Sequence, residues 1–594
     1  MVCEGKDEAS TISPARGLGA QLIAREAQKA AGAEISWVNY RVAVAETSDR
    51  MILIDGTTVN ESIMAARIAD NKVLTKSFLT QAGVSTPQGT VVGSEEQAIA
   101  FAQKLEGPVV VKPAKGSMGK GVSVNVFSAR EVREAYRLAA SINPVVLVEQ
   151  FIDIDFEARC IATSQEFVSS YKRVLPSVVG NGEASIRELI LEANLLKEES
   201  PLLRNHPIPV DATLLSTLDA QGWRIDDVLE SGKRLVVRNV GGLSSGGEPH
   251  EITSEFSDEL RQMAVRSIRS IPGLHWGGID LAVERHTGRA YVIEVNVNAG
   301  FAGSMFPVSG DPVNVAAIAW RERFKRSHPL PPAEGRFPER HTEPSTMDTL
   351  YPHLWTKSQV VRLSGLLWNS LEGSGLFQAR RLASLVQLKG HDGRERWFSS
   401  DLRGENDSLS AYRLSRRHAS IRKILRERGV RQVRAAVVSS ADQVARFSPR
   451  HRGLFAATPV NSPWLGADCH IGHRACIEKL MTGSSRWVIQ PYWDGVRLRA
   501  YASKDRVFAL TSSSGGSRFT QEMLIGASKA AISVMRAVPD LRWAAVDLYV
   551  PGATPTDGES REPVFEGIQV DPKLASAERL LAGSFSVMAD WVVR

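Results

Sequence analysis

The chain has 594 residues, too many for one hydrophobic core and enough for about three to five domains at roughly 150 residues each. Charged residues at 23% and hydrophobic residues at 43% are globular proportions, which exclude disorder, collagen-like repeats and coiled coil as the overall plan. The net charge of +6 comes from Lys and Arg interspersed with Asp and Glu, so no basic block marks a nucleic-acid partner.

No apolar run reaches the roughly 18 residues needed to span a bilayer, and the opening MVCEGKDEAS is charged with no apolar stretch after it. Cys3, Cys160, Cys469 and Cys476 are too few and too scattered for a disulfide framework. The expectation is a cytoplasmic protein without a membrane partner.

A helix is predicted over Leu18 to Ala31, followed by strand-like runs and then alternating helices and strands, the pattern of an α/β fold. The same order starts again with a helix-like period over Val360 to Leu371. At a constant offset of 346 residues, Arg50 to Phe101 lies over Arg396 to Phe447, matching Arg50 with Arg396, Asp55 with Asp401, Ser62 with Ser408 and Gly83 with Gly429. At an offset of 267, Trp276 meets Trp543 and Asp280 meets Asp547. Between the two copies, residues 326–348 are rich in Pro and charge and read as a linker. The predicted organisation is an N-terminal α/β subdomain at 1–70, a larger domain at 71–325, the linker, and then a second pair at 349–415 and 416–594.

In PVVVKPAKGSMGKGVSV a β-branched strand delivers Lys112 to a loop holding Gly116, Ser117, Gly119, Lys120 and Gly121. Glycines let backbone N–H groups approach a polyphosphate and lysines neutralise it, although a glycine-rich hairpin with solvated lysines reads the same way. VVLVEQFI ends a strand in Glu149, Gln150, Phe151 and Ile152, a segment able to offer backbone groups to an adenine edge; the acids Asp155 and Glu157 follow it. GGIDLAV and AYVIEVNVNAG place Asp280 on one strand and Glu294 and Asn296 on the next. Glu294 and Asn296 are two apart and so share a strand face, and three oxygen donors of this kind suit Mg²⁺.

Taken in order, NKVLTK, VVVKPAKGSMGKGV, VLVEQF, VRNVGGLSSGG, GID and IEVN resemble the ATP-grasp superfamily, particularly its glutathione synthetase and cyanophycin synthetase-like members, over about residues 20–320. SVVGNGEASIRELI is similar to a segment of the cyanophycin synthetase-like branch. The resemblance implies an α+β ATP-grasp domain with ATP held between two sheets, and a ligase that joins a carboxylate to an amine through an acylphosphate. It places Lys72 and Lys112 on the phosphates, Gly116 to Gly121 in the phosphate loop, Glu149 to Ile152 at the adenine, and Asp155 or Glu157 on the ribose. Asp280, Glu294 and Asn296 would hold two Mg²⁺ ions, with Mn²⁺ as a substitute, and Arg238 would join Lys112 in catalysis by meeting the transferred phosphoryl group. The implied partners are a small carboxylate and a small amine, amino acids or a short peptide. Extension of a peptide or polymer is the alternative within the fold, and an ATP-binding regulatory or kinase-like protein is the alternative outside it.

Carried through the repeat, Lys72 falls on His418, Lys112 on Thr458 and Glu149 on Gln490, while Asp547 persists, Glu566 is a candidate acid and Asn296 falls at Ile568. The second copy is therefore expected to be degenerate, serving as an intramolecular pseudo-dimer partner of the first, with a homodimer also open. CHIGHRAC, Cys469 to Cys476, has no usual zinc spacing and is not expected to bind metal.

Overall fold

The computed structural model describes residues 12–593 apart from 60, 116–119, 240, 330–334, 351–359, 376, 383–384, 391–392, 448–452, 461–469, 482–484, 493–495, 513–518, 551–561 and 576–578. The described residues form two compact units, one built from 1–32, 54–61 and 65–325 and the other from 33–53, 62–64 and 326–594. The stretch 1–70 is thus shared between them. No helix among the described residues is long and apolar enough to cross a membrane.

In the first unit the helix Leu18–Ala31 spans the predicted residues and ends on Gly32, whose φ of 57° supplies the left-handed C-cap. A small antiparallel sheet has the strands β4 (Gly89–Val92), β5 (Val109–Pro113), β6 (Ser123–Val126) and β7 (Val146–Gln150) in the order β4-β7-β5-β6. The labels β1 (Glu34–Trp37), β2 (Val42–Glu46) and β3 (Met51–Asp55) belong to an N-terminal sheet described below. Strand alternation sends Val109 and Val111 into a core with Val132, Ala135 and Ala139 of the helix Ala129–Ile142, which leaves Val110 and Lys112 on the opposite face.

A second sheet runs β12-β9-β8-β13-β14, built from β8 (Ile154–Thr163), β9 (Phe167–Val174), β12 (Glu248–Glu251), β13 (Trp276–Glu284) and β14 (Ala290–Asn296). The helix Asp258–Ser270 turns Met263, Ala264 and Ile268 inward as its buried face. Between β9 and β12 the chain makes an excursion through β10 (Ser177–Val179) and β11 (Arg234–Val236), with a core of its own around Ile186, Ile190, Leu214 and Leu229.

In the second unit, two of these antiparallel strand orders recur. Ala436–Val438, Trp487–Tyr492, Leu454–Pro459 and His470–His473 lie side by side in that order, as β4-β7-β5-β6 do. Arg579–Gly583, Val507–Ser512, Val496–Ser503, Trp543–Val550 and Val564–Gln569 follow the order of β12-β9-β8-β13-β14. The helices Leu409–Ser415 and His418–Glu427 stand 346 residues after Ile63–Ala69 and Lys72–Gln81, bound for bound. Two sequence expectations change here. Val360–Arg362 is a strand and the helix begins at Leu363. Within the stretch expected as linker, Arg340–Thr346 forms the outermost strand of the six-stranded sheet, paired with Arg579–Gly583.

The N-terminal sheet β1-β2-β3 packs in this second unit. Its Val38, Val42, Val44, Met51 and Leu53 share a core with Ile421, Ile424 and Leu425 and with the buried face of the helix Gln521–Ala537. Polar ties accompany the packing: Lys423 Nζ donates to the Trp37 carbonyl at 2.6 Å, and Arg428 meets Glu46 at 2.6 Å. Ser62 forms an antiparallel bridge with Ser408, its own offset mate.

Candidate functional site

The site is assembled from the face of β5 and β7 that the small-sheet helices leave uncovered. Glu149 on β7 lies opposite Val110 and therefore on the same face as Lys112. Its carboxylate is 4% exposed and holds two ammonium groups: Lys112 Nζ on one oxygen, and Lys76 Nζ at 2.8 Å on the other. Burial alone would raise the Glu149 pKa, but the two lysines hold it below the ordinary carboxylate range. Lys76 in turn is lowered by burial, against the pull of Glu149. Glu149 thus holds Lys76 and Lys112 in place, and Gln150, Phe151 and Ile152 line the cleft beside it.

Lys72 stands one helical turn before Lys76, with Nζ 3.4 Å from Glu294 Oε1. Lys72, Lys112, Lys120, Glu157 and Glu294 line one cleft, whose apolar walls include Val110, Val122, Val124, Phe151, Ile152 and Ile293. The cleft thus combines three lysines and two acids with a largely apolar lining. Ile293 reaches the wall because the β13–β14 ladder slips between Asp280 and Leu281, so that Ile293 is an extra residue next to Glu294.

Asp280 lies opposite Glu294 on one side and Arg159 on the other. Its buried carboxylate accepts from Arg159 Nε at 2.5 Å, from Arg159 Nη2 at 3.1 Å and from Arg173 Nη2 at 3.0 Å, with Asn296 Nδ2 at 3.5 Å. Burial opposes ionisation, yet the two guanidiniums hold the Asp280 pKa below its usual value. Glu157 is shifted the other way, raised by burial and then by Asp280, although Arg173 Nη1 donates to it at 2.7 Å.

Glu157 rather than Asp155 lines the cleft; the Asp155 carboxylate is half exposed and faces Arg285 at 3.5 Å. Arg238 lies outside the cleft wall and is paired with Asp211 at 2.5 Å. Gly121 has a φ of 71°, and a Cβ there would press on Ile142 at 2.9 Å. Gly116, Ser117 and Gly119 lie outside the described residues.

The donor set of Asp280, Glu294 and Asn296 fits Mg²⁺ in kind. Two carboxylates and an amide oxygen are hard donors; each Asp280 oxygen already accepts two hydrogen bonds, so Asp280 gains a free lone pair, on Oδ2, when the Asn296 amide turns. Asn296 presents its oxygen once its amide is turned, an assignment that rests on hydrogen-bond choice alone.

A model of the ATP-grasp domain matches residues 77–179, which include Lys112, Lys120, Glu149 and Glu157. The chain carries an ATP-grasp domain. The cyanophycin synthetase of Geminocystis herdmanii (strain PCC 6308) is 32% identical over 290 residues, covering 46% of this chain and 33% of that protein. The glutathione biosynthesis bifunctional protein GshAB of Listeria welshimeri is 27% identical over 265 residues, covering 43% of this chain and 34% of that protein. The chain therefore spans about a third of the length of the curated relatives it matches. Among solved structures, a bifunctional glutathione synthetase from Pasteurella multocida superposes with a TM-score of 0.43 at 22% identity, over 52% of this chain and 43% of that one.

Three charged residues that hold the acids beside this cleft escaped the sequence reading. Lys76 follows Lys72 by four, the helical spacing that puts both on one face. Arg159 follows Glu157 by two and alternates with the apolar Ala158 and Cys160, the signature of a charged strand face. Arg173 alternates with the apolar Val174 on β9, a weaker signal.

In the second unit, the corresponding ladder positions are filled from within. Gln569 stands opposite Ala545 as Asn296 stands opposite Gly278, and Gly567 stands opposite Asp547 as Glu294 stands opposite Asp280. This register corrects the expectation that Ile568 takes the place of Asn296. Glu566 is the extra residue at the slip, in the position of Ile293. Cys476 is exposed at the start of a short helix, and no group of three or more His, Cys, Asp or Glu that could hold a metal occurs among the described residues.

Proposed function

We propose that this protein is an ATP-dependent ligase that joins a carboxylate to an amine, of the amino-acid or small-peptide class, releasing ADP and phosphate. The observation that carries the reading is that Lys72, Lys112, Lys120 and Glu294 line one largely apolar cleft together with Gln150, Phe151 and Ile152.

In this reading the carboxylate oxygen of the first substrate attacks the γ-phosphorus of ATP, the bond to the β,γ-bridging oxygen breaks, and ADP leaves an acylphosphate behind. The amine lone pair then adds to the acyl carbon, the carbon–oxygen bond to phosphate breaks, and the amine gives up a proton as the amide forms. Lys72, Lys112 and Lys120 offset phosphate charge, and Arg238 meets the phosphoryl group in transfer. Glu157 takes the ribose. Asp280, Glu294 and Asn296 would hold two Mg²⁺ ions, or Mn²⁺ in their place, which when bound neutralise the phosphate oxygens.

Residues 349–415 and 416–594 are read as a second copy that has lost its site, supported by the recurring strand orders and helix bounds. The copy serves as a covalent pseudo-dimer partner. At an isologous interface the residues on the axis meet their own mates, and the Ser62–Ser408 bridge has that form. A cytoplasmic setting fits the scattered cysteines.

The test is a screen of amino acids in pairs that follows phosphate release. A ligase releases phosphate only when an acid and an amine are both present. A stable phosphorylated product identifies a kinase, and ATP binding without turnover identifies a regulatory module.

A further inference from the structure

The excursion between β9 and β12, residues 177–237, does more than lengthen a connection. It is a separately packed body: β10 pairs with β11, and the helix Ile186–Glu198 is fixed at its start by a capping box between Ser185 and Glu188. The chain leaves it through Arg238 and the glycine-rich segment 241–247. Both are held from inside the excursion.

Lys197, 4% exposed, donates to the Gly246 carbonyl at 2.6 Å and faces Glu248 at 3.5 Å. Ile208 lies so close to Gly246 that a Cβ there would come within 2.7 Å of the Ile208 Cα, and Gly246 has a φ of 86°, so glycine is required on both counts. Ile208 is itself fixed by Asn194, which accepts from its N–H at 2.7 Å and donates to its carbonyl at 3.1 Å.

Asp211 makes the third link. Its Oδ1 caps the helix Ala212–Asp219 by accepting from Leu214 N at 3.0 Å, and the same oxygen takes Arg238 Nη1 at 2.5 Å. Arg238 Nη1 also donates to the Pro209 carbonyl at 3.2 Å. The Arg238 side chain is 8% exposed, and its Nε is buried with no hydrogen-bond partner among the described residues. A guanidinium pinned by one nitrogen and left with a desolvated donor beside it is prepared to take a further acceptor. Holding it in one rotamer beforehand removes an ordering cost at the moment of reaction.

We propose that residues 177–237 are a clamp that positions Arg238 and the segment 241–247 over the transferred phosphoryl group, with Asp211 and Lys197 as positioning residues. The phosphoryl part rests on the ligase reading; the clamp itself does not.

The experiment uses the full chain with Asp211→Asn, Lys197→Met and Lys197→Arg. Asn is as good a helix cap as Asp, so Asp211→Asn keeps the cap and removes only the charge from the Arg238 contact. In amide hydrogen exchange without nucleotide, residues 238–247 should exchange about tenfold faster in Asp211→Asn and Lys197→Met. Residues 186–198 should keep wild-type protection in Asp211→Asn, and Lys197→Arg should restore protection of the loop. In turnover, kcat should fall by about 100-fold in both disruptive variants, while the KM for Mg·ATP stays near wild type.

Unchanged loop exchange in both variants overturns the clamp. So does protection lost evenly across 186–247 in Asp211→Asn, which makes Asp211 an ordinary structural residue. A wild-type protein that ligates no acid to any amine overturns the ligase reading, and the exchange data then still decide the clamp.

Discussion

Arg497 occupies in the second unit the strand position that Glu157 occupies in the first: each stands two residues before an arginine, Arg499 or Arg159, that lies opposite the strand aspartate. The sign of the charge is reversed. The Arg497 guanidinium lies 3.9 Å from the centroid of the Tyr492 ring, at the residue corresponding to Phe151, and its Nε donates to Glu566 at 3.0 Å. Arg422, standing where Lys76 stands, is turned inward onto Gln490 and the Val433 carbonyl. A guanidinium stacks on the ring that corresponds to Phe151, and the acid beside it is paired from within the unit.

Nucleotide should accordingly bind once per chain. Titration calorimetry of Mg·ATP into the full protein is expected to return one site, and a stoichiometry near two would contradict the filled-site reading.

Lys112→Ala and Glu294→Gln should each lower phosphate release by at least about 100-fold with the fold intact, because each removes a group aimed at the cleft. For Lys112→Ala, Glu149 keeps Lys76 as a partner. Circular dichroism and Mg·ATP turnover on the purified variants check this, and near-wild-type turnover in either removes its residue from the site.

Glu149→Gln is expected to behave differently. It leaves Lys76 and Lys112 buried around a neutral amide, and loss of one partner from a buried ion cluster costs about 3–5 kcal/mol. Urea unfolding should show that loss together with weaker Mg·ATP binding, whereas an unchanged midpoint would mean that the lysines reach water.

The second unit should lose stability in mild acid. His418 is fully buried and its pKa is held well below the ordinary value, first by burial and then by Arg422, whose Nε donates to His418 Nε2 at 2.7 Å. The unfolded chain takes up a proton below about pH 6.5 that the folded chain refuses, so stability is complete above that pH and falls by up to about 1.4 kcal/mol per pH unit beneath it. Denaturant melts between pH 5 and 7 on wild type and His418→Gln measure this; equal slopes would exclude His418 as the titrating group.

Residues 1–325 expressed alone should aggregate or self-associate. The truncation strips β1–β3 of the helices that cover Val42, Val44, Met51 and Leu53, and an apolar sheet face left bare seeks another partner. Light scattering and turnover on this fragment test the point, and a fully active monomer would show that the second unit is dispensable for the fold.

The ATP-grasp motifs were legible in the sequence because each is local. Lys112 reaches the cleft through strand alternation against Val109 and Val111, and Glu294 and Asn296 share a face for the same reason. The roles of Glu149 and Arg159 were not legible. A strand-end glutamate has the same appearance whether it faces a ribose or two lysines, and only the arrival of the helix Lys72–Gln81 over β7 makes it an anchor for Lys76 and Lys112. Gln569 was missed because the acid Glu566 invites alignment with Glu294, whereas the register sets it against Ile293 and so moves each later residue of the strand by one.

Periodicity and spacing by themselves determined the α/β character, the helix Leu18–Ala31 and the 346-residue recurrence, and the ordered motifs that carry the ATP-grasp resemblance pointed to Lys72, Lys112, Glu157 and Glu294, since all of these depend on neighbours along the chain. Tertiary structure alone decided that β1–β3 pack in the second unit, that Glu157 rather than Asp155 meets the cleft, and that Asp280 rests between two arginines. Each of these depends on which distant surface comes to lie against a segment. A strand with one apolar face specifies that it must be covered, but the covering surface is chosen by packing among all the faces the chain makes available.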